Sequence, residues 1–158
     1  MGLHDLEFRM YGLVPYNISD IQKGIQFQHA VTEYMIEYPM NSDILDELGK
    51  WAHYDKTSII LNGGTTNVNP LEPGTLNIYL DKLEHHNIPV SKFKEPDLGN
   101  QLTAVVFLAD ERVWDKDKYP DFEWGDYKKW IKKFNFQSEE EKKQILFLRD
   151  FLPQFKLA

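Results

Sequence analysis

The chain has 158 residues, a formal net charge of −7, no cysteine and 42% hydrophobic residues. This length fits one domain that can bury roughly two-thirds of the surface its unfolded chain exposes. The lack of cysteine excludes disulfides, thiol catalysis and cysteine-based metal sites. The N-terminal residues have no basic region followed by an apolar one, and no apolar run approaches the roughly 18 residues of a membrane span. We therefore expect a cytoplasmic protein with no membrane partner.

Charge is distributed unevenly along the chain. Residues 1–110 contain 7 Lys and Arg against 15 Asp and Glu, whereas residues 111–158 contain 11 against 10. Tight, sequence-independent binding to nucleic acids depends on several Lys or Arg contacts to phosphates. The first 110 residues are therefore atypical of a general nucleic-acid binder, and only a small local basic site fits this composition.

The first half of the chain is predicted to form a strand, two helices and a second strand, in that order. Residues 6–14 become almost wholly apolar, which predicts a buried strand closed by Pro15. Residues 19–22 have the form of a capping box and predict a helix to about Tyr38. A second helix is expected over 42–53. A strand over 57–61 follows, ended by Asn-Gly-Gly at 62–64.

A third helix, capped by Thr75, is predicted after a loop at 63–74. Two antiparallel strands follow it, one around Val90 and Phe93 and one over 102–108, because the connection between them is short. The fold class is thus α/β: a single domain over 1–110 with a four-stranded mixed sheet in β-α-α-β-α-β-β order. An aromatic-rich helical extension over 111–158 packs on this domain or on a partner.

The first predicted helix contains the most informative cluster of polar residues. Gln22, Gln26, His29 and Glu33 recur at steps of three and four, so they share one face. A second face is apolar and reads as core: Phe27, Val31, Tyr34 and Met35. Amides and a His near the start of a helix suit a small anionic or ester substrate. A solvated stripe with the His at the edge of the core explains the same spacing.

The turn between the last two strands contains Asp97 and Gly99, both routine turn residues. Glu95 and Asp97 also fit a pair of carboxylates for acid–base chemistry. No metal site is expected, because the adjacent His85 and His86 point away from each other on a helix.

Two stretches resemble a known family. Residues 13–30 end in Gln-Phe-Gln-His-Ala, and residues 88–104 contain a Glu-Pro-Asp-Leu-Gly turn at 95–99. They are similar to the first strand and helix, with its Gln-x-x-His-Ala signature, and to the closing hairpin of type 2 peptidyl-tRNA hydrolases. The similarity is greatest to the bacterial and phage-type branch and covers residues 6–109. The predicted order of elements agrees with that family's fold.

The resemblance implies hydrolysis, without a cofactor, of the ester between a peptide and the 3′ end of its tRNA. It implies that His29 orients or activates water and that Asp97 positions a partner, in a protein that forms homodimers. Donors for the developing oxyanion are also needed. Gln26, Gln101 and Thr103 are the candidates, since the family's Thr after the turn aligns with Gln101 and Thr103 lies two residues on.

Basic residues for the tRNA are few in this part of the chain. Where the family has a Gly-Lys-Gly-Lys stretch, residues 20–23 read Asp-Ile-Gln-Lys, which leaves Lys23, with Gln22 beside it, as substrate-binding candidates. Lys56 is a further candidate, and Lys50 could join it on the rim.

A non-catalytic binding protein on the same fold is the alternative. Its ligand would be a small molecule, a nucleotide end, or a protein bound through the C-terminal extension. A concave site with Lys on its rim would favour the enzyme. A flat acidic surface, with Trp114, Tyr119 and Trp130 exposed, would favour the binding protein.

Overall fold

The computed structural model describes residues 5–38 and 46–158. The strands in this part of the chain are β1 (Phe8–Pro15), β2 (Ser58–Gly64), β3 (Ser91–Glu95) and β4 (Gln101–Asp110). The α-helices are α1 (Asp20–Glu37), α2 (Glu47–Lys50), α3 (Thr75–His85), α4 (Glu111–Trp114), α5 (Tyr127–Phe134) and α6 (Glu139–Phe151). No helix among the described residues is long and apolar enough to span a membrane.

The strands form one mixed sheet in the order β2-β1-β4-β3. β1 and β2 run parallel, with Met10 opposite Ser58. β4 runs antiparallel to both of its neighbours, β1 and β3. The predicted α/β class, the β-α-α-β-α-β-β order and the antiparallel final pair are therefore confirmed.

β1 lies inside the sheet and is almost wholly buried, as its apolar second half predicts. One face of the sheet packs against α1, where Phe27 and Tyr34 belong to the core. The other face packs against α3 and α6, which contribute Leu80 and Leu148. Gly12 is required in β1, because a Cβ atom there would overlap the Phe27 ring.

α1 begins at its predicted N-cap, where the Gln22 backbone N–H donates to Ser19 Oγ at 3.2 Å. The Gln22 side chain does not close the capping box but accepts a hydrogen bond from Gln26. The predicted core face is partly wrong, because Met35 is 37% exposed. The sheet instead covers a different set of residues: Gln26, Phe27, Ala30 and Tyr34.

The predicted second helix is present in its described part, but only its first turn is α-helical. Residues 42–45 of that prediction lie outside the described residues. α2 is capped by Asp46, whose carboxylate accepts from the Gly49 backbone N–H at 2.7 Å. A π-helical turn (Trp51–Asp55) extends it and ends at Lys56, which has a φ of 60°.

β2 continues through the glycines that were predicted to end it. Asn62 and Gly64 pair with Val14 and Pro15 of β1. The prediction was wrong because β1 provides a pairing partner along this whole stretch. Gly64 accommodates the irregular register with a φ of 85°, which glycine adopts without steric cost.

α3 starts one residue earlier than expected, because Gly74 is its N-cap instead of Thr75. Thr75 has a different role. Its Oγ1 donates to the Gly63 carbonyl at 2.8 Å, and this hydrogen bond connects the helix to β2. One side of α3 is an apolar stripe that packs on the sheet, and Leu76, Leu80 and Leu83 are buried there.

Residues 111–158 pack on the sheet, and α6 adds three buried residues to its core: Ile145, Leu148 and Phe151. Arg112 connects the end of β4 with both longer helices of this region. Its guanidinium donates to both Asp110 oxygens at 3.0 and 2.8 Å and to the Phe134 carbonyl at 2.9 Å. It also pairs with Glu141 of α6 at 2.8 Å.

Candidate functional site

The N-terminus of α1 and the turn between β3 and β4 meet beyond the C-terminal end of β1. They come together because β3 points in the same direction as β1, with the antiparallel β4 between them. Between them is a cavity of about 330 Å³. Both elements contribute to its wall, which contains Ile18, Ser19, Gln22, Gln26, Glu95, Asp97 and Leu98.

The turn itself is fixed by a side chain. The residues Pro96–Leu98 form a 3-10 turn, and Gly99 and Asn100 both adopt left-handed backbone angles, with φ of 64° and 60°. The Asp97 backbone N–H donates to Glu95 Oε1 at 3.2 Å. Glu95 therefore holds the turn while its second oxygen faces α1.

A chain of hydrogen bonds joins the turn to α1. Thr103 Oγ1 donates to Gln26 Oε1 at 2.6 Å, and Gln26 Nε2 donates to Glu95 Oε2 at 2.9 Å. Gln26 Nε2 also donates to Gln22 Oε1 at 3.3 Å. Gln26 is only 3% exposed, so its amide is held in one orientation by three partners. Gln22 also lines the cavity, and its hydrogen bond with Gln26 uses its oxygen and not its amide nitrogen.

A β-bulge brings Thr103 to this network. Phe93 pairs with Ala104 and Lys94 pairs with Leu102, so Thr103 is the extra residue of β4. Bulges bend a strand and redirect a side chain locally. Here the bulge keeps Thr103 buried and directed at α1.

Glu95 is the electrostatic centre of the site. The hydrogen bond from Gln26 lowers the pKa of its carboxyl below the usual value, and the Asp97 backbone N–H and the charge of His29 lower it further. A carboxylate that accepts hydrogen bonds in this way stays ionised. The site therefore contains a fixed negative charge beside His29.

His29 lies one turn after Gln26 on α1. Its ring stacks on Phe93, with 4.5 Å between centroids and 23° between planes. It is half-buried and does not line the cavity. The structure thus brings His29, Gln26, Thr103 and Asp97 around one carboxylate.

The basic candidates are less close. Lys23 lies on the first turns of α1 and pairs with Asp20 at 3.4 Å, with 15% of its side chain exposed. Lys56 precedes β2, whose first residue pairs with Met10 near the start of β1, so Lys56 lies at the opposite end of the sheet. Lys50 is engaged with Asp55 at 2.7 Å.

Gln101 is opposite Glu95 on β4, so both side chains are on the α1 face of the sheet. Its Oε1 is buried and has no hydrogen-bond partner among the described residues. A buried amide oxygen without a donor is costly, and such atoms are frequently explained by a bound ligand or water.

The sequence did not predict the central role of Glu95. Its spacing predicts only a pair with Asp97, whereas in the structure Glu95 contacts Gln26, 69 residues away in sequence. The sequence did contain one indication of this role: Phe93 and Glu95 are two residues apart on a strand, so their side chains must lie on the same face of the sheet. Nothing in the sequence pattern predicted that Ile18 and Leu98 line the cavity.

The surface features that would separate enzyme from binding protein are mixed. The site is concave, yet its lining contains two carboxylates and no Lys. Tyr119 is buried, and Trp114 and Trp130 are half-buried. Among the described residues no group of three or more His, Asp and Glu is arranged to hold a metal ion.

Comparison of the whole chain with models of protein families gives no match. Comparison with curated protein sequences gives none either.

Proposed function

We propose that the cavity at the α1 N-terminus hydrolyses the ester of a peptidyl-tRNA or a similar N-blocked aminoacyl ester. The observation that carries the proposal is the fixed Glu95 carboxylate, held by Gln26 and flanked by His29. An imidazole beside a carboxylate is suited to taking a proton from water, because the negative charge stabilises the imidazolium that forms.

In this proposal the attacking water lies between the cavity and His29, which is outside the cavity lining. His29 receives the proton of that water, Phe93 fixes its ring by stacking, and the charge of Glu95 balances the imidazolium. Water oxygen bonds to the ester carbonyl carbon, and the bond to the ribose oxygen then breaks. The proton on His29 passes to the leaving ribose oxygen. Asp97, at the mouth of the cavity, positions the peptide or the ribose.

The developing oxyanion needs a hydrogen-bond donor that is not already used. Thr103 donates to Gln26, and both N–H groups of Gln26 donate to Glu95 and Gln22. Gln26 and Thr103 therefore act as positioning residues. The Gln22 amide nitrogen is the donor that the network leaves free, since its own oxygen accepts from Gln26.

Charge suggests which part of the substrate enters. Glu95 and Asp97 in the wall repel phosphate groups, so the ester and the peptide occupy the cavity and the tRNA backbone stays outside it. Lys23, on the same helix as Gln22, is the nearest of the basic candidates in sequence and would contact that backbone.

The test is release of free tRNA from a purified N-acetyl-aminoacyl-tRNA. We expect turnover by the native chain and a loss of about 100-fold or more in His29→Ala and in Asp97→Ala. Glu33→Gln, one turn after His29 on α1, is the matched control and should retain activity. Turnover that survives both alanine substitutions rejects this site, and no turnover by the folded native chain rejects the hydrolase.

A second candidate, non-catalytic binding of a small cationic ligand, is favoured by the acidic wall of the cavity, which contains Glu95 and Asp97 and no Lys. If this holds, spermidine raises the Tm of the native chain, and Glu95→Gln removes most of that rise. No change in Tm with spermidine would exclude it.

A further inference from the structure

The segment around α5 forms a second concave surface, separate from the cavity described above. It is a groove of about 590 Å³, called the α5 groove below. Its lining consists of Lys116, Pro120, Asp121, Phe122, Glu123, Trp124, Asp126, Lys129, Trp130 and Lys133. It belongs to the extension that begins at the end of β4, where Asp110 pairs with Phe8 at the start of β1. The cavity lies beyond the other end of β1.

Aromatic rings form a fixed wall of the α5 groove. Trp130 Nε1 donates to the Pro120 carbonyl at 2.8 Å, and the Trp130 ring stacks on Tyr127 with 5.8 Å between centroids. Phe122 lies 5.7 Å from the Trp130 ring. Trp124 differs from these residues, because it is 97% exposed. A large flat ring this free of protein contacts is available to stack on another molecule.

The positive charge of α5 is unpaired. Its sequence contains four lysines and no acidic residue: Lys128, Lys129, Lys132 and Lys133. None of the four forms an ion pair with a carboxylate of the described residues. The lining of the α5 groove also contains three acidic residues. Asp121 accepts from Arg149 at 2.7 Å, and Asp126 caps the helix. Among the described residues Glu123 is therefore the one carboxylate of this lining that is left to offset Lys129 and Lys133.

We propose that the α5 groove binds single-stranded nucleic acid, with bases stacked on Trp124 and phosphates at Lys129 and Lys133. Aromatic rings beside free lysines are the combination that single-strand binding uses, since every base has a flat face and every nucleotide a negative charge. Each lysine that meets a phosphate also releases bound cations from the strand.

A lipid surface explains these residues less well. Membrane-surface helices insert a continuous apolar face between the lipid headgroups. The apolar side of α5 is already used, because Phe134 is fully buried and its ring contacts Trp130 at 4.7 Å and Phe136 at 5.1 Å. Trp124 and the partly exposed Phe122 and Tyr127 form a small aromatic patch, not the continuous apolar helix face that insertion needs.

The inference goes beyond the proposed hydrolysis and does not depend on it. Binding at the α5 groove is tested with unacylated oligonucleotide, which has no ester to cleave. A substitution at His29 does not alter the α5 groove, because His29 is not part of its lining. Each of the two proposals can therefore fail without the other.

The experiment measures fluorescence anisotropy of a labelled oligouridylate of about 12 nucleotides with the full chain, together with quenching of Trp124. We expect Trp124→Ala to weaken binding by about fivefold to 100-fold and Trp124→Phe to restore most of it. Lys129→Gln/Lys133→Gln should weaken binding and make the slope of log Kd against log salt shallower by about 1.4. Lys82→Gln/Lys143→Gln, on α3 and α6, is the matched control with the same change in charge.

Each outcome decides the matter. Binding that depends on Trp124 and on the α5 lysines, but not on the control pair, supports the proposal. No binding at about 50 mM salt overturns it, as does binding that none of the variants changes. Binding to vesicles rich in phosphatidylserine without binding to the oligonucleotide also overturns it, in favour of a lipid surface. All substitutions are at exposed positions, so loss of folding does not confuse the result.

Discussion

Gln26 was selected from the sequence as a catalytic candidate, and its contacts assign it a different part. Its amide has all of its donors and its oxygen engaged with Thr103, Glu95 and Gln22. Spacing on α1 could indicate that Gln22, Gln26 and His29 share one side of the helix. It could not indicate that Gln26 is buried, because its partners come from β3 and β4.

The free donor of this network yields a prediction at Gln22. If its amide stabilises the oxyanion, Gln22→Ala lowers kcat by about 100-fold to 1000-fold and changes KM little, because the hydrogen bond forms only in the transition state. Gln28→Ala, at an exposed position of the same helix, should leave kcat unchanged. Steady-state hydrolysis of an N-acetyl-aminoacyl-tRNA measures both, and an unaltered kcat in Gln22→Ala assigns the donor elsewhere.

Glu95 makes stability depend on pH. Its pKa in the folded chain is lower than the ordinary 4.5, so the ionised form stabilises the fold above that value. This contribution is lost as pH falls through the lowered pKa. Urea unfolding should show a stability difference between the native chain and Glu95→Gln at neutral pH that narrows on acidification. A difference that is independent of pH would mean that Glu95 acts only through its shape.

At the scale of elements, local signals predicted most of the fold. Apolar runs and capping residues located every strand of the described chain, and the short final connection predicted the antiparallel pair. The errors arose where a distant partner decides the structure. β1 extends β2 through Asn62 and Gly64, and the bulge at Thr103 is visible only in the pairing with β3.

Arg112 links three elements, and its loss should be costly. Arg112→Met leaves the buried Asp110 carboxylate unpaired and breaks the contact with Glu141, so we expect a loss of about 3–5 kcal/mol in the free energy of unfolding. Arg9→Met, which breaks a partly exposed pair with Glu7 and the stacking of the guanidinium on Trp114, should cost less, about 1–2 kcal/mol. Equal losses in urea denaturation would contradict this ranking.

For the whole molecule, the uneven charge of the sequence has a structural counterpart. The acidic first part forms the sheet and the cavity, while α5 of the extension has four free lysines. Composition could indicate this division but not its geometry, because the α5 groove depends on how residues 116–133 turn back on themselves.

The extension also contributes to the core of the sheet. A chain that stops at Asp110 loses five buried core residues: Val113, Ile145, Leu148, Phe151 and Leu152. Burial of each contributes roughly 1.5–3 kcal/mol, a sum comparable to the whole stability of a domain. We expect the shortened chain to show no cooperative thermal unfolding by circular dichroism, in contrast to the full chain. A cooperative transition would show that the sheet is stable alone.

Residues 156–158 cover one edge of the sheet. β2 is an edge strand, and residues 156–158 run beside it. The Asn62 N–H donates to the Lys156 carbonyl at 2.9 Å, and the Ala158 N–H donates to the Ile60 carbonyl at 3.0 Å. An exposed edge strand can pair with a strand of a second chain, which leads to aggregation. Deleting these three residues should therefore produce concentration-dependent scattering of light in solutions that stay clear with the intact chain, and a purification tag is better attached at the other terminus.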